Sequence, residues 1–451
     1  MDRVYYPRTI DHDLLEWKAS ARHKPLLVRG ARQVGKSSAV RTLGRQFTHF
    51  LEVNFERDRE IHTLFTSNLK PQQIASRLGT YYGVPVVPDE TLLFLDEIQA
   101  CPDALRSLWF FYEDYPELHV VAAGSLLEFA LQELSSFGVG RIRSLFMYPM
   151  SFNEFLNATG RSAWLTAKRE ATSASPLFDA LHTQLVETFR TYLLVGGMPE
   201  AVHEWVTRGD YLACQQVLDD IAQSYEDDFS KYKRRADPAL LRQTLHSVGL
   251  QAGNKFVYSQ VEGGYRSEKV KEALGLLTMA GLVIPVVRSA GNGIPLGAEV
   301  NEKFVKYLFL DSGLLLCLLG LKHGSSPSSL SQQLVVATAT ELVNKGHITE
   351  MVAGLELLKY QSPTIRPTLY YWQSLERGSQ AEIDYLLERA GGVLPLEIKA
   401  GTSGSMKSLY QFMQEKKLAH GIRSSLENFG ALPQVEILPL YALENLTRRS
   451  D

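Results

Sequence analysis

Gly30-Ala-Arg-Gln-Val-Gly35-Lys36-Ser37 follows a short apolar run, Pro25 to Arg29, and precedes a helix-forming stretch, Ser38 to Phe47. The pattern G-x-x-x-x-G-K-[ST] between a buried strand and a helix constrains the fold more than any other feature of the chain. Its glycines let backbone N–H groups wrap phosphates, and the helix N-terminus adds a positive field. The expected phosphate-binding loop runs through Gly30, Ala31, Arg32, Gln33, Val34, Gly35, Lys36, Ser37 and Ser38. Within it Lys36 neutralises the β- and γ-phosphates and Ser37 holds Mg²⁺. ATP and Mg²⁺ are thus the expected cofactors.

A second apolar run, Thr91 to Leu95, leads into Asp96 and Glu97. At the end of a parallel strand, Asp96 is placed to join the Mg²⁺ shell and Glu97 to polarise the attacking water. A neighbouring Glu predicts hydrolysis rather than binding alone. A third run, His119 to Ala123, ends at Gly124-Ser125, where Ser125 is placed to sense the γ-phosphate. Arg141, in Gly138-Val-Gly140-Arg141, is read either as an arginine finger, in cis or toward a neighbouring subunit, or as a solvated surface charge.

At 451 residues the chain exceeds one ordinary core, and 45% hydrophobic with 22% charged residues is a globular composition. A net charge of −3 supplies no whole-chain attraction to polyanions, so any nucleic-acid contact must be local. Cys101, Cys214 and Cys317 fit neither a disulfide framework nor zinc-ligand spacing. The N-terminus lacks the apolar core of a signal peptide, and Leu308 to Leu321 carries Asp311 and is too short to span a bilayer. A soluble cytoplasmic protein without membrane contact is the expectation.

Apolar strands alternating with helical stretches make residues 1–160 an α/β domain. Residues 161–235 turn helical and read as a lid or connector. Within 236–322, helices near Leu240 to Ala252, Ser259 and Ser267 to Ala280 precede a strand, a Gly291–Gly293 turn and a return strand, the order of a winged helix. Arg266, Lys269, Lys271 and Arg288 are its candidate phosphate contacts, but Glu268 and Glu272 dilute the basic face and packing of the segment between domains is the favoured reading. Lys231-Tyr-Lys-Arg-Arg235 is the densest basic cluster, but Glu226-Asp-Asp228 just upstream favours a charged surface helix. After a linker at Gly324-Ser-Ser-Pro-Ser-Ser, residues 330–451 form a last α/β domain with strand-like runs at Thr368 to Gln373, Ala381 to Glu388 and Val393 to Lys399.

Arg29 to Ser37, Leu93-Phe-Leu-Asp-Glu-Ile-Gln99, Gly124-Ser-Leu-Leu-Glu128, Gly140-Arg141 and Tyr148-Pro-Met-Ser-Phe-Asn-Glu-Phe155 together resemble the prokaryotic AAA+ ATPases related to the archaeal ATPase group. Gly196-Gly-Met-Pro-Glu200 and Leu310-Asp-Ser-Gly-Leu314 extend the resemblance along nearly the whole chain. Ser37 stands where Thr is common and Leu126 where a second Ser is usual; neither change removes a needed group. The resemblance implies a RecA-like P-loop core with helical lid, a winged-helix segment and a C-terminal domain of unknown function.

In the last domain, Glu382-Ile-Asp384 and Glu397-Ile-Lys399 lie on successive strands joined through Gly391-Gly392. Strand alternation puts Glu382 with Asp384, and Glu397 with Lys399, on one face, while Ile383 and Ile398 point the other way. Two facing carboxylates suit Mg²⁺, which polarises a scissile phosphate, and a nearby Lys stabilises developing charge. The arrangement resembles the PD-(D/E)xK nuclease superfamily, without the Pro of that name; the resemblance implies a restriction-endonuclease-like fold and a Glu from the preceding helix, here Glu341. The expected function is thus an ATPase coupled to a nuclease-like, DNA-interacting domain, with a homo-oligomer required if Arg141 acts in trans. The alternative is an ATP-gated scaffold whose vestigial, non-cleaving domain binds a protein partner.

Overall fold

The computed structural model describes residues 4–66, 70–125, 127–133, 140–232, 235–319, 346–389 and 391–447. It divides into two compact units. The first comprises Met1–Tyr148 with two short returns, Met279–Gly281 and Ser362–Arg366; the second holds Pro149–Thr278, Leu282–Gln361 and Pro367–Asp451. The divisions drawn from sequence at 160/161, 235/236 and 322/330 all fall within the second unit's span. The linker at 324 and Glu341 lie outside the described residues.

The first unit is built on five strands, β1 (Leu26–Arg29), β2 (His49–Asn54), β3 (Thr91–Asp96), β4 (His119–Ala123) and β5 (Arg143–Phe146), in the order β2-β3-β4-β1-β5. Every pairing is parallel, the RecA-like P-loop arrangement. β3 and β4 are buried at every residue, as continuous apolar strands covered on both faces must be. β2 reads differently: His49-Phe-Leu-Glu-Val-Asn54 alternates, burying Leu51 and Val53 on the side where Leu93, Leu95 and Leu105 pack. The helix Pro102–Asp114 opens on proline, which costs no hydrogen bond at that position, and buries Ala104, Leu105, Leu108 and Phe111 along one stripe. Each such large apolar side chain contributes about 1.5–3 kcal/mol on burial. The parallel order leaves the carboxyl ends of β1 and β3 at one edge, where α/β sheets bind ligands.

The second unit joins a helical half to one mixed sheet of eight strands. These are β6 (Val283–Ser289), β7 (Val300–Phe309), β8 (Leu369–Gln373), β9 (Glu382–Arg389), β10 (Gly392–Ile398), β11 (Gly421–Ser425), β12 (Gly430–Leu432) and β13 (Val435–Pro439), ordered β12-β13-β11-β10-β9-β8-β6-β7. The β6–β7 hairpin, read from sequence as a wing, pairs onward in parallel with β8, so wing strands and C-terminal strands share one sheet. Arg288 follows from that: it is buried and its Nε donates to the Gln373 carbonyl at 2.9 Å, so it is not a solvent-facing phosphate contact. Lys269 is held by Glu272 and Lys231 by Asp228.

Three runs that carry the family resemblance meet inside this unit. Met150 N–H donates to Gly197 O at 2.6 Å, and Gly197 N–H donates to the Asp311 carboxylate at 2.6 Å. Asp311 also accepts Leu314 N–H at 3.1 Å, capping the helix Ser312–Leu318. Glycine is required at 196 and 197: a Cβ there would lie 2.1 Å from Asp311 Oδ1 and 2.2 Å from Met150 O. These motifs therefore hold a structural knot rather than a catalytic surface. Cys101, Cys214 and Cys317 are buried and form no disulfide among the described residues. Among the described residues, no helix is long and apolar enough to cross a membrane.

Candidate active site

The loop after β1 turns because three of its residues take positive φ: Gly30 at 146°, Gln33 at 61° and Gly35 at 99°. Gly30 has a second constraint, since a Cβ would lie 2.1 Å from Met147 O. Ala31 and Val34 are buried beneath the turn, and Arg8 braces it by donating to Val34 O at 2.9 Å and Tyr148 O at 2.7 Å. The helix Lys36–Gly44 starts directly from Gly35, which aims its free N–H groups into the loop. Lys36 lies inside the turn, donating to Gly30 O at 2.9 Å and Ala31 O at 2.7 Å. Burial pulls its pKa down to about 8, opposed by Glu97 and Asp96.

Ser37 Oγ donates to Asp96 Oδ1 at 3.0 Å, bringing the two residues assigned to Mg²⁺ together across the sheet edge. Burial, then the Glu97 charge, pushes Asp96 up to about 6. This hydroxyl and carboxylate form a hard-oxygen donor pair of the kind Mg²⁺ prefers, so the residues fit the ion. Asn54, at the end of β2, donates to the other Asp96 oxygen at 3.3 Å. Arg41 pairs with Glu52 at 2.6 Å and stands 3.9 Å from Asp96.

Glu97 adopts a left-handed backbone, φ 49°, the kind of local strain that clusters at functional sites. Its carboxylate accepts Gln99 Nε2–H at 2.6 Å and the Ser125 hydroxyl at 3.3 Å, and Ser125 in turn accepts Arg32 Nε–H at 3.1 Å. Gly124 leaves room for this: a Cβ there would lie 2.0 Å from Gln99 Oε1. Arg32, Ser125, Glu97 and Gln99 thus form one chain beside the Lys36–Ser37–Asp96 group. Ser38 sits on the first turn of the loop helix. Arg141 is elsewhere: it pairs with Glu113, and its guanidinium lies 4.9 Å from the Trp109 ring centroid, both on the helix Pro102–Asp114.

Asn54, Gln99 and Arg41 were not read from sequence. Asn54 ends a strand whose alternation hides it among continuous apolar runs, and Gln99 lies two residues past Glu97 in a 3₁₀ turn that carries no periodic signal.

In the second unit, Asp384 accepts Ile398 N–H at 2.7 Å, and Glu397 pairs with Lys399 at 2.6 Å. Burial, then Asp384, pushes Glu397 up to about 7, and its Oε2 is buried with no hydrogen-bond partner. Glu382 and Asp384 face the same side of β9, and Ile383 is buried on the other. The helical glutamate that joins them among the described residues is Glu350, on the helix His347–Lys359: carboxylate oxygens of Glu350, Glu382 and Asp384 lie within 4.8 Å of one another. Its position is not marked in the sequence, because the helix is apolar nearly all round and Glu350 reads as one of several surface acids.

Residues 22–156 match the model of an AAA domain. Residues 186–325 and 345–443 match two domains of unknown function, DUF8612 and DUF4143. No curated protein matches the chain. Among solved structures, the Walker-type ATPase PabY2304 of Pyrococcus abyssi is similar at 15% identity, covering 70% of this chain and 96% of its own, with a TM-score of 0.45. RuvB of Thermotoga maritima is similar at 16% identity, 65% and 91% coverage and a TM-score of 0.31. The Aeropyrum pernix ORC1 protein, in complex with DNA, follows at 12% identity, 74% and 93% coverage and a TM-score of 0.28. The AAA match and the loop geometry support ATP binding and hydrolysis by the first unit.

Proposed function

We propose that the chain is a Mg²⁺-dependent ATPase whose hydrolysis cycle controls the larger second unit, a nuclease-like body that interacts with DNA. The observation that carries the first half is the meeting of Lys36, Ser37 and Asp96 beside a restrained Glu97. Loop N–H groups and Lys36 bind the phosphates, and Ser37 and Asp96 hold Mg²⁺, which when bound offsets charge on the β- and γ-oxygens. Glu97 orients the attacking water and takes its proton. Ser125 reports the γ-phosphate through its bond to Glu97. Among the described residues Arg141 pairs with Glu113 and lies over the Trp109 ring, both on the helix Pro102–Asp114, so a finger role for it calls for a second copy of the chain, and native mass with and without ATP tests that.

The nuclease-like half is supported by Asp384, Glu397 and Lys399 on adjoining strands, with Glu350 in the position that the resemblance assigns to a helical Glu. A second reading, an ATP-gated regulator whose larger unit cuts nothing, is favoured by one observation: the buried Lys306 ammonium bonds to Glu350 and Glu382. Incubation with Mg·ATP and linear, circular and branched DNAs, following phosphate release and strand scission together, separates the two. Scission lost in Asp384→Ala supports the first reading; no scission, or equal scission by both proteins, removes the nuclease half.

A further inference from the structure

The carboxylate group formed by Glu350, Glu382 and Asp384 has the donor set of a divalent-ion site, but it is not free to act as one. Lys306, on β7, is 1% exposed and points its ammonium into the group. It donates to Glu350 at 2.9 Å and to Glu382, and its Nζ also lies 5.1 Å from the Tyr371 ring centroid. Burial alone would pull the lysine's pKa down, yet Glu350, Glu382 and Asp384 together hold it well above its ordinary value, so the ammonium stays charged. The Lys306 ammonium thus supplies positive charge to the same carboxylates that a divalent ion would bind.

The neighbouring pair is committed in the same way. One oxygen of Asp384 accepts Ile398 N–H and one of Glu397 accepts Lys399. A carboxylate cluster already satisfied by an internal lysine has little to gain from an ion that must first shed its own water.

We infer that Lys306 is the resident cation of this cluster, taking the place of the divalent ion, so that the larger unit binds no metal through Asp384 and cuts no phosphodiester bond with it. The residues present do not fit the Mg²⁺ that a PD-(D/E)xK resemblance implies. The pairing instead ties β7, β9 and the helix His347–Lys359 together. This rests on the nuclease-like reading of the second unit and decides between its cleaving and non-cleaving forms.

The test is Mn²⁺ binding followed by electron paramagnetic resonance on nucleotide-free protein. Wild type and Asp384→Asn share the P-loop, so any difference between them counts ions held in the second unit. The expected result is equal Mn²⁺ stoichiometry in the two proteins, and one additional ion in Lys306→Ala, whose melting temperature then rises with Mn²⁺ while that of wild type does not. One Mn²⁺ more in wild type than in Asp384→Asn would overturn the inference. So would a folded Lys306→Ala that gains no ion. If Lys306→Ala does not fold, the comparison of wild type with Asp384→Asn decides alone. Phosphate release measured on the same samples reports on the ATPase reading independently.

Discussion

Asp311→Ala removes the centre of the second unit's motif knot. The carboxylate is 1% exposed and serves two N–H groups, that of Gly197 at 2.6 Å and that of Leu314 at 3.1 Å. Losing the cap on the helix Ser312–Leu318 costs about 1 kcal/mol. Leaving the Gly197 N–H buried without a partner costs about 1–3 kcal/mol more. The expected net is a loss of about 2–4 kcal/mol, and Asp311→Asn, which keeps one acceptor for Leu314, should lose about half as much. Urea denaturation reads this as a fall in midpoint of about 1 M, since a body of this size has a slope near or above 3 kcal/mol/M. Hydrogen exchange in Ser312–Leu318 assigns the loss to the second unit, and ATP binding should be unchanged. A midpoint within about 0.2 M of wild type, smaller than any of these terms converts to, would refute the assignment of the motifs to structure.

Gln99→Ala should lower kcat for ATP by about 10- to 100-fold while leaving KM near its wild-type value, because it frees Glu97 without touching the phosphate loop; steady-state phosphate release checks this, and a KM effect alone would contradict it. For Glu397, the folded pKa of about 7 lies above the unfolded carboxylate value, so the fold favours the protonated form. Its contribution to stability is therefore full at low pH and lost as pH rises through 7. Stability of the second unit should fall between about pH 4 and 7, and Glu397→Gln should flatten that profile in urea titrations at several pH values. An unchanged slope in Glu397→Gln would show that Glu397 is not the titrating group.

Much of the first unit is legible because its chemistry depends on spacing. A loop from Gly30 to Ser37 needs a strand before it and a helix after it, and β1, β3 and β4 announce themselves as continuous apolar runs. What sequence hides is what alternates or what acts at a distance. β2 is half-exposed, so Asn54 does not stand out, and β5 is a four-residue strand with one fully buried position, Leu145. In the second unit the runs at 382–389 and 392–398 are readable as strands, but not that the β6–β7 hairpin continues their sheet. Nor does Lys306 declare itself: among Glu302, Lys303 and Lys306 on one strand, only packing shows which lysine is buried against carboxylates.

The central claim is that the Lys36–Ser37–Asp96–Glu97 group hydrolyses ATP, and phosphate release from Mg·ATP, set beside nucleotide binding, tests it most directly. Wild type should bind and turn over ATP. Lys36→Ala should do neither, and Glu97→Gln should bind ATP but release phosphate at least about 100-fold more slowly, the ordinary contribution of a positioned general base. Phosphate release at the wild-type rate by Lys36→Ala, or by Glu97→Gln, would contradict the account.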